Sequence, residues 1–325
     1  MKKTHLSLLI RVSVSLVLIL ILLYIMRDKY TNVLSVLKGA RISLVSLGLL
    51  CFAGAIGVAS VRLKLIIDAQ DNVKATFLEA ISLSYIGYFF NNFLPTSIGG
   101  DVVKAHYLSR KTPDRTTSYT AVFVDRAIGL LTMVFMAFVA ILLVDNRIID
   151  KGVKNMICVI TAVSFMLIVF MMNKRIAKKF SGLLFLVKPI EGKLRKVYNA
   201  VNVYRHRYLL IFQSLMTSIL SQLLFFVSIG ILAKAIGSRI PMMEILLRMP
   251  IISMMSLLPS INGLGVREGS TVLLFGPLIG KESAFAVAIL WFFVLLITSV
   301  AGGLVYAISP QFKITLKEAE EETNI

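Results

Sequence analysis

The residues with chemistry to do here are ionisable side chains set inside long apolar runs. Asp125-Arg126 stands inside the run that starts at Thr117, about 12 to 14 Å along a helix that rises about 1.5 Å per residue. An ion at that depth costs several kcal/mol unless it is paired or hydrated, so it must face a bundle interior or a wet cavity. Arg126 and Arg267 are the candidate phosphate contacts, because a guanidinium fork matches phosphate oxygens bidentately. The competing reading is an internal salt bridge, Asp125 with Arg267 or Arg126 with Glu268.

Two further segments share a pattern. Leu94-Pro95-Thr96-Ser97-Ile98-Gly99-Gly100-Asp101 and Leu258-Pro259-Ser260-Ile261-Asn262-Gly263-Leu264-Gly265, the latter followed by Val266-Arg267-Glu268, each join a Leu-Pro, a hydroxyl residue, two glycines and an acid. Pro95 and Pro259 stop an incoming helix, and Gly99, Gly100, Gly263 and Gly265 permit tight backbone before a new one starts. A glycine turn opening into a helix presents unpaired N–H groups to an anion. Asp101 and Glu268 sit where they would offset the same dipole, by about 0.3 to 1 kcal/mol; binding a headgroup amine or coupling to a proton is the alternative. Lys104 lies within a turn of Asp101 and joins the candidate headgroup contacts, beside His106.

Other charges read as supporting. Glu244 and Arg248 are spaced i, i+4 and pair on one helix face. Arg11 and Arg62 lie near span ends and are expected to snorkel. Tyr85-Ile86-Gly87-Tyr88-Phe89-Phe90 packs between helices or lines an acyl-chain groove. Cys51 and Cys158 lie in apolar runs and the three histidines are far apart, so neither a disulfide framework nor metal-ligand spacing is visible. No phosphate-binding loop, zinc-protease motif, nucleophile elbow or cofactor fingerprint occurs, so neither a cofactor nor a catalytic site is expected.

The elements that must position these groups are membrane helices. The chain is 57% hydrophobic and 16% charged, beyond the apolar share of a soluble domain. Apolar runs from Leu6 to Met26, Ile42 to Val61, Thr117 to Val144, Val153 to Met172, Leu209 to Ala233 and Ser283 to Ile308 each approach or exceed the ~20 residues that cross a bilayer. The first, after Lys2 and Lys3, is too long for a leader and has no small-residue cleavage site; it reads as a retained span. The formal net charge of +18 is concentrated between these runs, where the positive-inside rule expects it, which argues against nucleic acid as a partner.

Charge also orients the chain. Asn173 to Arg207 carries ten basic residues and the single acid Glu191. It is expected to be cytoplasmic and to lie on the membrane surface as amphipathic pieces broken near Pro189. Counting from it leaves Ala75 to Leu108 entering and leaving on one side, and Pro241 to Gly280 doing the same from the other. Both would be re-entrant hairpins in corresponding halves, the mark of an inverted repeat. Eight simple crossings are the alternative. The expectation is an all-α polytopic bundle of six to eight spans in one domain over residues 1–325. Its halves are about 1–172 and 209–310, joined by the basic segment 173–208, and its acidic tail is 311–325, with both termini cytoplasmic.

At Asn91-Asn92-Phe93-Leu94-Pro95 with Gly99-Gly100-Asp101, at Asp125-Arg126 with Gly129, and at Pro259 with Gly263, Gly265, Val266, Arg267 and Glu268, the sequence resembles the flippase-like transmembrane domain of the lysylphosphatidylglycerol synthase family. The likeness runs from about Leu6 to Pro310. It implies a bundle with re-entrant helices that moves phospholipids or aminoacylated phospholipids between leaflets. In full-length synthases a soluble lysyl-transfer domain follows; this chain ends at Ile325, so a stand-alone member without it is expected. Three functions follow: a lipid flippase, a membrane enzyme using Asp101, Asp125 or Glu268 as acid or base, and an anchor for a glycosyltransferase. The expected partner is a phospholipid or lipid-linked molecule, and a homo-oligomer is compatible with all three.

Overall fold

The computed structural model describes residues 30–70, 73–93, 99–112, 115–143, 151–172, 204, 207–258, 260 and 262–309. These form ten helices and no strand: α1 Tyr30–Lys38, α2 Ile42–Asp68, α3 Phe77–Phe93, α4 Gly99–Ser109, α5 Arg115–Leu143, α6 Lys151–Met172, α7 Tyr208–Ala235, α8 Met242–Met255, α9 Val266–Ile279 and α10 Lys281–Ile308. The all-helical expectation holds. The first apolar run, Pro95, Pro259, the acidic tail and nearly all of the basic segment lie outside the described residues.

Helices α2, α5, α7 and α10, at 27, 29, 28 and 28 residues, are long and apolar enough to cross a membrane. Large apolar side chains such as Leu50, Phe135, Leu142, Phe212 and Leu304 stay more than half exposed on their outer faces, as a lipid solvent allows. Helix α6 coincides with the apolar run at Val153 to Met172. Between the long helices stand short ones: α3 has 17 residues, α4 has 11, and α8 and α9 have 14 each. At about 1.5 Å per residue these cover about 17 to 26 Å, less than the ~30 Å of a hydrocarbon core.

Small residues let the backbones approach. Along α2 and α7 the contacts run in opposite directions: Gly48 packs on Leu232, the Ser228 hydroxyl donates to the Gly48 carbonyl at 2.8 Å, the Ser221 hydroxyl donates to the Ala55 carbonyl at 2.9 Å, and Arg62 reaches Ser218. The two helices are therefore antiparallel, joined through small side chains and hydroxyls, the usual glue where lipid offers no hydrophobic contrast. The short helices pair in the same sense. In α3 and α4, Gly87 faces Lys104 while Asn91 reaches Gly100; in α8 and α9, Arg248 bonds the Leu274 carbonyl and Ser256 abuts Gly263. The start of α3 is tied by a reciprocal cap, Thr76 N–H to Glu79 at 3.0 Å and Glu79 N–H to the Thr76 hydroxyl at 3.2 Å. Burial raises the Glu79 carboxyl, but its bonds from Lys111 and Thr76 outweigh that and hold it below its ordinary value.

The packing has an internal order. Helices α2 and α7 lie against each other; α3 lies on α10 as α8 lies on α5; α4 lies on α5 as α9 lies on α10; and α1 lies on α10 as α6 lies on α5. Exchanging α1–α5 with α6–α10 leaves this list unchanged. Because the corresponding helices α2 and α7 are antiparallel, the exchange reverses direction.

The close approach of α10 to α3 is a test of this packing. A Cβ added to Gly302 would fall 2.0 Å from the Tyr85 carbonyl oxygen, whereas one added to Gly57 meets nothing within 4 Å. Gly302→Ala should therefore prise α3 from α10 and cost about 1–3 kcal/mol or more. Gly57→Ala, which only gains helix propensity, should leave stability level or slightly raised. Thermal unfolding in detergent compares the two.

Candidate functional site

Where α3 and α4 meet the long helices, the bundle holds a half-open cavity of about 360 Å³. Its lining joins apolar and aromatic side chains, among them Phe52, Ile56, Tyr88, Phe225 and Trp291, to the charged Arg62, Asp101, Lys104, Asp125 and Arg126 and the polar Gln222. Three cations face two carboxylates there, and they come from α2, α4 and α5.

The charges fall into two groups. Arg62 Nε donates to Asp125 Oδ1 at 2.7 Å and its Nη1 donates to the Ser218 hydroxyl at 2.8 Å. The guanidinium also presses on Gly129, where an added Cβ would lie 3.0 Å from Nη1. The side chains of this pair are 8% and 13% exposed, so it is locked inside protein. The second group is more open: Asp101 accepts from Lys104 Nζ at 3.3 Å and from Arg126, whose side chain is 28% exposed. Consecutive helical residues point about 100° apart, which is how Asp125 and Arg126 serve different partners.

Two expectations are corrected. Arg62 does not snorkel; at 7% exposure it is buried. It stands about a turn and a half inside the end of α2 and bonds the Asp125 carboxylate on α5 instead. Nor do Asp125 with Arg267 or Arg126 with Glu268 pair. Arg267 bonds its own neighbour, with Nε 3.0 Å from Glu268 Oε1, and its guanidinium stacks 5.2 Å over Trp291 and 5.8 Å over Phe292. Arg267 and Glu268 do not line the cavity; they stand behind Trp291, which does. The i, i+4 pair Glu244–Arg248 forms as expected, at 2.7 Å.

The glycine turns are occupied from within. Gly263 and Gly265 have φ of +76° and +83°, a left-handed backbone that glycine adopts without penalty. The Gly265 N–H donates to Glu268 Oε2 at 2.7 Å. Gly99 and Gly100 begin α4 in helical geometry, and Gly100 is required for packing, since a Cβ there would lie 2.0 Å from the Gly87 carbonyl oxygen. Its N–H donates to Asn91 Oδ1 at 2.8 Å. The end of α3 is tied to the second turn: Asn262 Nδ2 donates to Asn92 Oδ1.

Arg62, read as a surface group, and Tyr88, read for packing, thus line the cavity together with Asn91 of the resemblance motif and with Gln222, which the sequence did not single out. The legible signal for Arg62 was its charge near an apolar run opposite the equally isolated Asp125. The family model described as the lysylphosphatidylglycerol synthase TM region matches residues 8–303. The chain belongs to that family. No curated protein and no solved structure matches it. As a member of the lysylphosphatidylglycerol synthase transmembrane-region family it is a multi-pass membrane protein, and every charged residue of the cavity lies within the matched region.

The Arg62–Asp125 lock has a measurable weight. Arg62→Met leaves the buried Asp125 carboxyl without its partner, at a cost of about 3–5 kcal/mol. Adding Asp125→Asn should return much of that loss. Unfolding of the single and double variants in one detergent gives the coupling, and strictly additive losses would show that the pair contributes no interaction.

Proposed function

We propose that this protein is a flippase-like transporter that moves an anionic or aminoacylated phospholipid, or a lipid-linked precursor, between leaflets. The observation that carries the reading is the 360 Å³ cavity, where Arg62, Lys104 and Arg126 face Asp101 and Asp125 inside an apolar helical bundle. Its volume falls in the range of small-ligand sites, about 300–1,000 Å³. The surplus cation favours a phosphodiester, and the carboxylates offer a partner to a headgroup amine. Acyl chains would remain in lipid while the headgroup crosses.

With the Gly100 and Gly265 N–H groups already bonded, headgroup contact is assigned to the cavity's side chains, Arg126 and Lys104 first, rather than to the helix ends. Arg267 would act from behind Trp291. The short antiparallel pairs α3/α4 and α8/α9 fit re-entrant hairpins entering from opposite faces, as transporters built from inverted repeats use them. On this reading the basic segment, residues 173–208, is cytoplasmic and the protein sits in the cell membrane.

Two measurements test this. Cysteines replacing Lys74 and Arg115 in a background without Cys51 and Cys158 should react with an impermeant reagent from the same side, since a re-entrant α3/α4 returns the chain to the face it left; opposite sides would mean one full span between them. Arg126→Gln removes the more open guanidinium while Lys104 still neutralises Asp101, so thermal stability should hold. Losing one charge-assisted bond of about 1.5–3 kcal/mol should slow lipid exchange in liposomes about ten- to hundredfold. Exchange at the unaltered rate would remove Arg126 from the mechanism.

A further inference from the structure

We infer that anion entry into the cavity is coupled to protonation of Asp101, so that each anionic headgroup travels with one proton. The inference rests on the transport reading and adds to it how the cargo's charge is balanced.

The two carboxylates of the cavity differ in what an incoming anion can take from them. Asp125 has the better protected cation, because Arg62 is bonded to Asp125 and Ser218, lies over Gly129 where no side chain intervenes, and is almost wholly enclosed. Asp101 shares its cations with a more exposed part of the cavity: Lys104 Nζ stands at 3.3 Å, and Arg126, bonded to Asp101, is the most exposed charged side chain of the two groups. A phosphodiester that binds at the open guanidinium competes with Asp101 for Arg126 and Lys104. Success leaves a carboxylate that is 14% exposed beside a new negative charge, with its counter-ions turned away. A buried acid next to a like charge favours its neutral form.

The other groups around Asp101 do not relieve this. Arg62 from α2 is committed to Asp125, and Asp125 from α5 is itself negative. Tyr88 and Asn91 from α3 are neutral, with Asn91 donated to by Gly100; Gln222 from α7, Ser253 from α8 and Trp291 from α10 carry no charge. The proton comes from water onto an Asp101 carboxyl oxygen as the anion binds, and returns to water when the anion leaves and Arg126 closes on Asp101 again. The loaded and empty cavities then carry the same net charge, so crossing with cargo moves no charge beyond that of the empty protein.

The test is calorimetric titration of the detergent-solubilised full chain with a soluble short-chain phosphatidylglycerol, in buffers of different ionisation enthalpy, which counts protons per anion. One proton taken up per anion is expected, with affinity falling about tenfold per pH unit where uptake is complete. Asp101→Asn should bind with no uptake and no such slope, and Asp101→Glu should keep both. Binding by the unaltered protein without proton uptake overturns this inference and leaves transport standing; that count needs no variant to fold. Uptake that survives Asp101→Asn but disappears in Asp125→Asn overturns the assignment to Asp101. Absence of lipid binding, or equal binding of inorganic phosphate alone, overturns the inference together with the headgroup reading beneath it.

Discussion

An arginine in the interior of a membrane protein must find an anion, and Arg62 finds one 63 residues further along the chain. The requirement is strict because a lone guanidinium costs several kcal/mol in a medium that cannot solvate it. Satisfying it fixes the register of α2 against α5, and the second donor contact, to Ser218, fixes α2 against α7 as well. The positions of three long helices thus follow from one side chain. The more open Asp101 group can exist only because this locked group holds the wall on which it stands.

Around that fixed point the bundle is assembled by subtraction. Gly48, Gly100 and Gly302 lie where any side chain would meet a neighbouring side chain or carbonyl at 2.0 to 3.0 Å. In water, burying large apolar side chains drives helices together. In lipid, the gain comes from close backbone contact and from hydroxyls such as Ser221 and Ser228 bonding across the interface. The same economy appears in both halves, whose helices pack in an equivalent order with reversed direction. Corresponding helices of the two halves bury their faces against each other, as α2 and α7 do.

Much of this could be read from the residues. Long apolar runs located α2, α5, α7 and α10 because helix length is set by bilayer thickness. Proline and glycine marked the breaks, and isolated ions marked the interior. Pairing was harder. Charge type and depth say that Asp125 and Arg126 need partners, but only the three-dimensional packing chooses among Arg62, Asp101, Arg267 and Glu268. Arg62 was misread because its place near the end of a run suits snorkelling as well as burial, and the difference depends on α7 standing beside it. Gly100 was read for turn-making freedom, while its neighbour's carbonyl, 13 residues back in the chain, is what excludes a side chain there. The Asn92–Asn262 contact has no periodic or compositional signature, being a meeting of the end of α3 with a turn 170 residues away.

That last contact joins the two halves of the chain at one point, between the last turn of α3 and the turn that precedes α9. A side-chain amide both gives and accepts hydrogen bonds, so one partner can be exchanged for a pure acceptor and the other still supplies a donor. A carboxylate at both positions would set two acceptors face to face and turn the clasp into a wedge.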